Sequence, residues 1–224
     1  VMISVSKEWK AAYPGCFFGL LAMEGLENTG SCPDLDGKKR SLEDFLRQQH
    51  AGKSRKDLLS DGIYAAYEAY FRRFWQGYPV LHQLESVALK GKPIFSPSAL
   101  VSAMFMAELE NGLLTAGHDL GKLHLPLVLG SATGEETYEA MGGRPRVLQK
   151  GDMFLADRAG VLSSVLYGPD NGSFITEATT EVLFTVYGVT GIQALDLQGH
   201  LEKIEALVRI ACPKVSTRVK EVLS

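Results

Sequence analysis

No stretch of the 224-residue sequence is apolar for long enough to cross a membrane. A spanning helix takes about 20 consecutive apolar residues, and charged residues or glycine interrupt each apolar run before that length. The first ten residues, VMISVSKEWK, also lack the apolar core of a secretory signal. We therefore expect no membrane partner and a cytoplasmic location.

Cysteine is scarce, and motifs for a metal or cofactor are missing. Cys16, Cys32 and Cys212 are far apart and form neither a CxxC pair nor a Cys/His cluster, which excludes a disulfide-stapled or zinc-held scaffold. GxGxxG, Walker, HExxH and GxSxG motifs are absent. His118 and His124 are six residues apart without an evident third ligand, so we expect neither a metal nor another cofactor.

A surplus of positive charge is also missing, because 23 Lys and Arg residues face 26 Asp and Glu residues. Tight, sequence-independent nucleic-acid binding needs many phosphate contacts, so we expect no DNA partner. Local basic groups do occur at 37–40, 52–56 and 71–74, and as Arg144 with Arg146. They are typical of solvated helix ends and loops, and they leave open the docking of a structured RNA on one patch.

Hydrophobic residues make up 46% of the sequence, so a chain of this length can form its own core. Apolar residues recur with helical spacing in five segments and occur in short, glycine-bounded runs in six others. The sequence predicts helices at 41–50, 54–75, 80–91, 96–112 and 192–212, and strands at 16–26, 123–130, 136–141, 152–157, 160–168 and 180–188. This order favours an α+β fold, a single domain over 1–224 with mostly antiparallel sheet layers flanked by helices.

The segment 54–75 carries a stripe of aromatic residues at helical spacing, formed by Tyr67, Tyr70, Phe71, Phe74 and Trp75. Such a stripe either packs in the core or offers a platform on which bases stack, and the core is the favoured interpretation. On the other helices, we expect the side chains of His50, His82 and His200 at the surface.

Two polar clusters stand out from the apolar background. In TAGHDL, Thr115 to Asp119 are expected to form a corner between a helix and a strand, where Asp119 accepts backbone N–H bonds or lines a site. The stretch from Tyr167 to Glu181 is rich in Gly, Asp, Asn and Thr. It is either a solvated hairpin loop or a rim that gathers hydroxyl and backbone N–H groups.

The order of these features resembles the B3/B4 domain of the phenylalanyl-tRNA synthetase beta subunit and, more closely, the free-standing B3/B4 proteins of bacteria. The similar segments are, in order, YPGCFFGLLAMEGLEN, YFRRFWQGYPVLHQLESVALKGKPI, SPSALVSAMFMAELENGLLTAGHDLGKL, GDMFLAD and ITEATTEVLFTVYG. They cover roughly residues 13–210. The resemblance rests on the ordered set, because no single motif is specific.

The resemblance implies the B3/B4 (PheT-like) fold and an editing module that hydrolyses mischarged tyrosyl-tRNA. Such a module positions a water and the aminoacyl ester with polar side chains and backbone groups, so no catalytic triad is expected. His118 is the candidate catalytic residue, as a general base. The candidate substrate-binding residues are Asp119, Ser98, Tyr167, Asn171, Glu177, Thr179, Thr180 and Tyr187.

The sequence departs from the family pattern at several polar positions. Ser98 stands where the family has Asn, and Ala116 stands where the synthetase has His. The other departures replace Asp, Asn or Glu, and they fall on Ser102, Phe105, near Thr185, and on Tyr187. A pocket lined more apolarly is therefore expected, with Tyr167, Tyr187 or His118 supplying its polarity.

Three functions remain open at this point. The first is trans-editing hydrolysis of mischarged aminoacyl-tRNA, and the second is a non-catalytic module that binds RNA, an amino acid or another small metabolite. The third is a protein-interaction domain with a filled pocket. The first two predict a concave pocket between the sheet and the 96–112 helix, reached by residues 167–180. A basic patch beside it would favour tRNA, formed by Arg72, Arg73, Lys90, Lys92, Arg144 and Arg146.

Overall fold

The computed structural model describes residues 2–60 and 62–224. The helices are α1 (Lys7–Ala12), α2 (Pro33–Gln49), α3 (Arg55–Leu58), α4 (Gly62–Arg72), α5 (Pro79–Leu84), α6 (Ala99–Asn111) and α7 (Ala194–Ala211). The strands are β1 (Ile3–Val5), β2 (Phe17–Glu24), β3 (Thr115–Asp119), β4 (Leu127–Ser131), β5 (Thr137–Ala140), β6 (Arg144–Val147), β7 (Met153–Ala156), β8 (Val161–Ser164), β9 (Gly168–Pro169), β10 (Glu181–Gly188) and β11 (Ser216–Leu223).

The strands form two sheets and a separate hairpin. One sheet has the order β1-β4-β7-β8-β9, the other has the order β11-β2-β10-β3, and β5 pairs with β6. Among the described strands, β1 and β4 pair in parallel and the remaining pairs are antiparallel. The prediction of an α+β fold with mostly antiparallel sheets flanked by helices is therefore confirmed.

The four-stranded sheet is covered on both faces, because β2 and β10 are almost continuously apolar and buried. Helix α7 packs against one face, where a Cβ added to Gly19 would lie 3.3 Å from Leu201 Cδ1. On the other face, the phenol of Tyr187 reaches Ser163 on β8 of the five-stranded sheet. A layer of helices, a central sheet and a second sheet thus enclose the core.

Helix α6 ends as its sequence predicts, whereas α2 begins earlier than expected. Gly112 closes α6 in the left-handed region at φ 69°. Helix α2 begins at Pro33, with Asp34 and Asp36 in its first turn, so the predicted start at residue 41 is wrong. Proline and acidic residues at a helix N-terminus are favourable, and they outweigh Gly37 in the second turn.

The helix predicted over 54–75 is divided in two, α3 and α4, and the segment 80–91 forms α5 followed by a π-helical turn at Glu85–Leu89. No clear sequence pattern predicts β1, α1, β6 or β11. Strands β1 and β11 lie outside residues 13–210, yet β1 joins one sheet and β11 joins the other. That one domain spans 1–224 stays a prediction.

Most of the aromatic stripe packs in the core, since Tyr67, Tyr70, Phe71 and Phe74 are between 0% and 7% exposed. Trp75 is the exception at 97% exposure, so its prediction as a core residue is wrong. The backbone of Trp75 adopts the left-handed region at φ 57° and ends the helical segment with the indole in solvent.

His200 is buried and not at the surface, so that expectation is also wrong. Its ring nitrogens lie 2.7 Å from Thr115 Oγ1 and 3.1 Å from Asn111 Nδ2. Burial lowers the pKa of His200 to about 3, so the ring is neutral in the folded protein. Within the described residues, no helix is both long and apolar enough to cross a membrane.

Candidate functional site

The segment TAGHDL forms strand β3 at an edge of the four-stranded sheet, and the prediction of a corner there is wrong. Side chains alternate between the faces of a strand. Gly117 lies beneath Met104 of α6, on the helix side of the sheet. His118 lies on the opposite side, where it meets Ser163 of the five-stranded sheet. A pocket between the sheet and α6 therefore cannot contain His118.

The imidazole of His118 is fully buried and has a polar neighbour at each nitrogen. Nε2 lies 3.2 Å from Ser163 Oγ, and Nδ1 lies 2.7 Å from Ser173 Oγ. Ser173 Oγ donates in turn to the carboxylate of Asp170, whose Oδ1 is 3.7 Å from His118 Nδ1. These four residues form a continuous chain between the sheets, which we call the His118 relay.

Tyr187 extends the His118 relay at its buried end. Its hydroxyl lies 2.8 Å from Ser163 Oγ and 3.2 Å from Ser163 O. Burial raises the pKa of Tyr187 well above its ordinary value, so the phenol stays protonated and serves as a donor or acceptor of hydrogen bonds.

Asp170 is the end of the His118 relay that reaches solvent, with 16% of its side chain exposed. Burial opposes ionisation, but the nearby imidazole of His118 and the hydrogen bonds from Ser173 and the Gly172 N–H hold the pKa of Asp170 below its ordinary value. The carboxylate faces a cleft of about 420 Å³. The cleft is lined by residues of β5 and of two loops, Thr137, Tyr138, Glu139, Ala159, Gly160, Val161, Asp170, Asn171 and Gly172.

The His118 relay has the residue types of a serine hydrolase in the reverse orientation. A hydrolase exposes the serine hydroxyl to substrate and buries the acid behind the histidine. In this protein Ser163 is 0% exposed, and the acid Asp170 faces the cleft. The arrangement can hold a charge at the cleft and fix neighbouring hydroxyl groups, but its serine does not meet a substrate in this structure.

A second hydrogen-bonded chain lies on the α6 side of β3. Asp119 accepts from Thr179 Oγ1 at 2.8 Å and from the Gly121 N–H at 3.1 Å. Thr179 Oγ1 also accepts from the Thr176 N–H at 2.9 Å, and the carbonyl of Thr176 accepts from Asn28 Nδ2 at 2.7 Å. The bond from Gly121 shows the turn-stabilising role that the sequence allows for Asp119.

This second chain ends at the N-terminus of α6. Asn28 Oδ1 accepts from the Leu100 N–H at 3.2 Å, beside Ser98. The hydroxyl of Ser98 is buried and has no hydrogen-bond partner among the described residues. The structure therefore brings Ser98, Asp119 and Thr179 into one neighbourhood.

The remaining candidate residues lie apart from these two chains. Tyr167 accepts from Gln149 Nε2 at 3.1 Å, and its ring lies 5.1 Å from the guanidinium of Arg146. Asn171 donates to Glu139 at 2.7 Å on the lining of the cleft. Glu177 and Thr180 are exposed.

Side chains fill part of the place where the pocket beside α6 is expected. A Cβ added to Gly117 would lie 2.7 Å from Ile175 Cδ1 and 3.3 Å from Met104 Sδ. An open volume beside residues 167–180 is the cleft at Asp170, which is lined by residues of β5 and by none of α6. The expected position of the pocket is thus wrong.

Sequence reasoning misses Asp170, Ser163, Ser173 and Asn28. A signal for the first three exists, because VLSSVL places two serines within an apolar strand and GPDNGS places an acid in a tight turn. Residues 2–60 and 62–224 contain no group of three or more His, Cys, Asp or Glu side chains that could hold a metal ion.

The fold and the cleft define an α+β domain with a polar site between a sheet and a hairpin. The chain is similar to an N-terminal fragment of the phenylalanyl-tRNA synthetase beta subunit from Pyrococcus horikoshii, with a TM-score of 0.50 and 11% sequence identity. The similarity covers 99% of this chain and 50% of that fragment, so the chain spans about half the length of its structural neighbour. At this identity the similarity shows the fold alone.

No protein-family model matches the sequence. No curated protein matches it either.

Proposed function

We propose that the chain is a stand-alone domain of the B3/B4 type that recognises charged tRNA and hydrolyses the ester of a mischarged one in trans. The observation that carries this proposal is the similarity of fold to the synthetase beta-subunit fragment over 99% of the chain. The support is therefore structural, because no protein-family model matches the sequence.

The cleft at Asp170 is the place that we propose for the aminoacyl end of the tRNA. Its volume of about 420 Å³ can accommodate an amino acid. The carboxylates of Asp170 and Glu139 line it, and a carboxylate is the natural partner of an α-ammonium group. Tyr138 offers an aromatic ring beside them.

Hydrolysis in this cleft would depend on orientation and not on a side-chain nucleophile. A water held by Asp170 or Glu139 next to the ester carbonyl would meet the geometric requirement of such a mechanism. The His118 relay would act as a support that fixes the Asp170 carboxylate. We propose His118 as a positioning residue for this reason.

Cations for the tRNA backbone lie next to the cleft. Arg146 pairs with Tyr138 across the β5–β6 hairpin, and Arg144 pairs with Ala140. Of the cations expected to form one basic patch, these two lie on β6, the strand that pairs with the cleft-lining strand β5. Lys92 lines a different cavity beside His82. We therefore propose that the β5–β6 hairpin contacts the tRNA.

A second candidate function is a binding module without hydrolysis. The burial of His118 and Ser163, both 0% exposed, favours it. The replacement of the family's polar residues by Ala116 and Phe105 favours it as well. Such a module would bind a free amino acid or an uncharged tRNA as well as a charged one.

The test is a deacylation assay with a panel of mischarged aminoacyl-tRNAs that includes tyrosyl-tRNA of the phenylalanine type. We expect hydrolysis of one or two substrates, with a loss of about tenfold or more in Asp170→Asn, because the variant removes the charge that holds the substrate or water. Asp44→Asn on exposed α2 is the matched control. Binding without turnover across the panel would reject hydrolysis and establish the second candidate.

A further inference from the structure

Trp75 adopts a left-handed backbone conformation, which is rare for a residue with a large side chain. The N–H of Gln76 donates to the carbonyl of Phe71 at 3.1 Å, so Trp75 is the left-handed residue that closes the end of α4. Glycine or asparagine is usual there, since a larger side chain crowds the following carbonyl. The chain accepts this strain and also leaves the indole 97% exposed.

The helix end around Trp75 also carries fixed positive charge. The guanidinium of Arg73 lies 5.2 to 5.8 Å from the ring centroids of Tyr13, Tyr70 and Phe74. A Cβ added to Gly151 would lie 3.6 Å from Arg73 Nη2, so the turn that carries Lys150 is adjacent. Stacking on three rings holds the charge of Arg73 in one place.

Among the described residues, these cations have no acidic ion-pair partner. Across residues 2–60 and 62–224, no carboxylate oxygen lies within 4.0 Å of a side-chain nitrogen of Arg72, Arg73 or Lys150. All three side chains are classed as exposed. The helix end that exposes the flat ring of Trp75 therefore also carries positive charge that has no ion-pair partner among the described residues.

We propose that Trp75, Arg72, Arg73 and Lys150 form a docking surface for single-stranded RNA. The indole stacks on an unpaired base, and the cations contact the flanking phosphates. Nucleic acid supplies both a π-face and regular negative charge, which together match this surface. The identity of the RNA as an unpaired segment of tRNA rests on the proposed function, whereas the docking surface does not depend on hydrolysis.

The two tryptophans allow a direct measurement. Trp9 is 1% exposed and Trp75 is 97% exposed, so the emission that acrylamide quenches comes from Trp75. We expect a single-stranded oligonucleotide of about twelve nucleotides, rich in cytidine and adenosine, to quench this emission and shield it from acrylamide. The titration uses the full chain with the wild-type sequence.

Variants separate stacking from charge. We expect Trp75→Ala to weaken RNA binding about tenfold or more and Trp75→Phe to retain most of it, because any aromatic ring can stack. Arg72→Ala should lower the slope of log affinity against log salt by about one. Phe45→Ala is the matched control, since Phe45 is an exposed aromatic residue of a different helix, α2, with 53% of its surface accessible. Circular dichroism verifies that each variant is folded.

The outcomes distinguish this surface from the proposed function. If RNA binding depends on Trp75 but there is neither deacylation nor a preference for charged tRNA, the docking surface is supported and the proposed function is rejected. Binding of charged tRNA that is equal in wild type and Trp75→Ala overturns the surface and leaves the proposed function standing. Absence of RNA binding, or a Trp75-dependent self-association seen by sedimentation instead of RNA binding, also overturns it.

Discussion

At the scale of single residues, His118 shows how a buried imidazole is satisfied. Both ring nitrogens lie within hydrogen-bond distance of a serine hydroxyl, from Ser163 on one side and Ser173 on the other. Removing one member of such a chain leaves the remaining buried groups without partners, which costs more than the net value of each bond.

We predict that His118→Ala lowers the free energy of unfolding by about 2 to 4 kcal/mol, through an unfilled cavity and two hydroxyl groups that lose a partner. Urea unfolding followed by fluorescence measures the change. His124→Ala is the control, because that side chain is 67% exposed, and it should change stability by less than about 0.5 kcal/mol. Equal stability of His118→Ala and wild type would contradict the relay.

The sequence predicts that His118 and Asp119 matter, but it does not predict their partners. The partners of His118 lie 45 and 55 residues away, and no local pattern encodes so distant a contact. Asp119 is different, because its bond to the Gly121 N–H spans two residues and follows from ordinary turn chemistry. Trp75 does not continue the buried aromatic stripe, because the left-handed backbone at the helix end turns its side chain away from the face that the helical period predicts.

At the scale of elements, β3 lies very close to its neighbours at Gly117. A Cβ there would lie 2.7 Å from Ile175 Cδ1, closer than real Cβ contacts come. A methyl group at residue 117 would therefore require the side chain of Ile175 to move.

We predict that Gly117→Ala destabilises the protein by about 1 to 3 kcal/mol through overpacking. Ile175→Val removes the Cδ1 methyl that causes the contact, so the double variant Gly117→Ala/Ile175→Val should recover part of this loss. A double-mutant cycle by urea unfolding measures the coupling. Strictly additive effects would show that Ile175 is not the obstacle.

Strand β11 closes the other edge of the same sheet. It pairs with β2 from Ser216 to Leu223, with a register shift between Thr217 and Val219. Arg218 at that shift reaches Glu24 at 3.3 Å and Glu181 at 3.0 Å. Exposed pairs of this kind contribute little. Strand β11 is held mainly by its backbone pairing with β2 and by the packing of Val219, Val222 and Leu223 against the core.

We predict that deletion of residues 216–224 leaves the apolar strand β2 as an unprotected edge, so that the protein aggregates at micromolar concentration. Light scattering and size-exclusion chromatography measure this. Arg218→Ala in the full chain is the matched control and should remain monodisperse to the same degree as wild type. A truncated chain that behaves as wild type would contradict the role of β11 as an edge cover.

The elements that sequence reasoning finds are those with local signals. Helix α6 has Pro97 and Gly112 at its ends, and β2 and β10 are long apolar runs, so each is predictable from its own residues. Strand β11 lacks strict alternation, because Lys220 and Glu221 are adjacent in STRVKEVL, and β1 has three residues. Their structure depends on a sheet edge formed elsewhere in the chain, which local patterns do not contain.

At the scale of the whole molecule, three buried ionisable groups make stability depend on pH. Burial raises the pKa of Glu108 to about 8, although a hydrogen bond from the Thr115 N–H opposes the shift. Burial raises the pKa of Asp152 to about 7, although a hydrogen bond from Tyr70 opposes it. Burial lowers the pKa of His200 to about 3. In the folded state the two carboxyl groups keep protons that they lose on unfolding. His200 behaves in the opposite way, because below the ordinary pKa of histidine it binds a proton only in the unfolded state.

The directions of these three pKa shifts predict how the free energy of unfolding depends on pH. Between about pH 6.5 and 8 the folded state binds more protons than the unfolded state, so the free energy of unfolding falls as pH rises, by about 1 kcal/mol or more per pH unit. Below that range, unfolding is coupled to uptake of a proton by His200, which offsets part of the carboxyl contribution.

We predict that Glu108→Gln reduces the loss of stability between about pH 6.5 and 8, because the amide cannot ionise. Urea unfolding at a series of pH values measures the slope. Glu110→Gln, on the same helix but in an exposed ion pair with Lys203, should keep the wild-type slope. An unchanged slope in Glu108→Gln would show that Glu108 does not titrate in this range.

The pairing of β2 has a consequence for synthesis on the ribosome. The register joins Phe18 to Tyr187 and to Leu223, so an apolar strand made early waits for partners made late. At about 5 to 20 residues per second, translation from β2 to β10 takes roughly ten to thirty seconds. We expect the nascent chain to need a chaperone during that interval, because the central sheet cannot form until β10 and β11 have been synthesised.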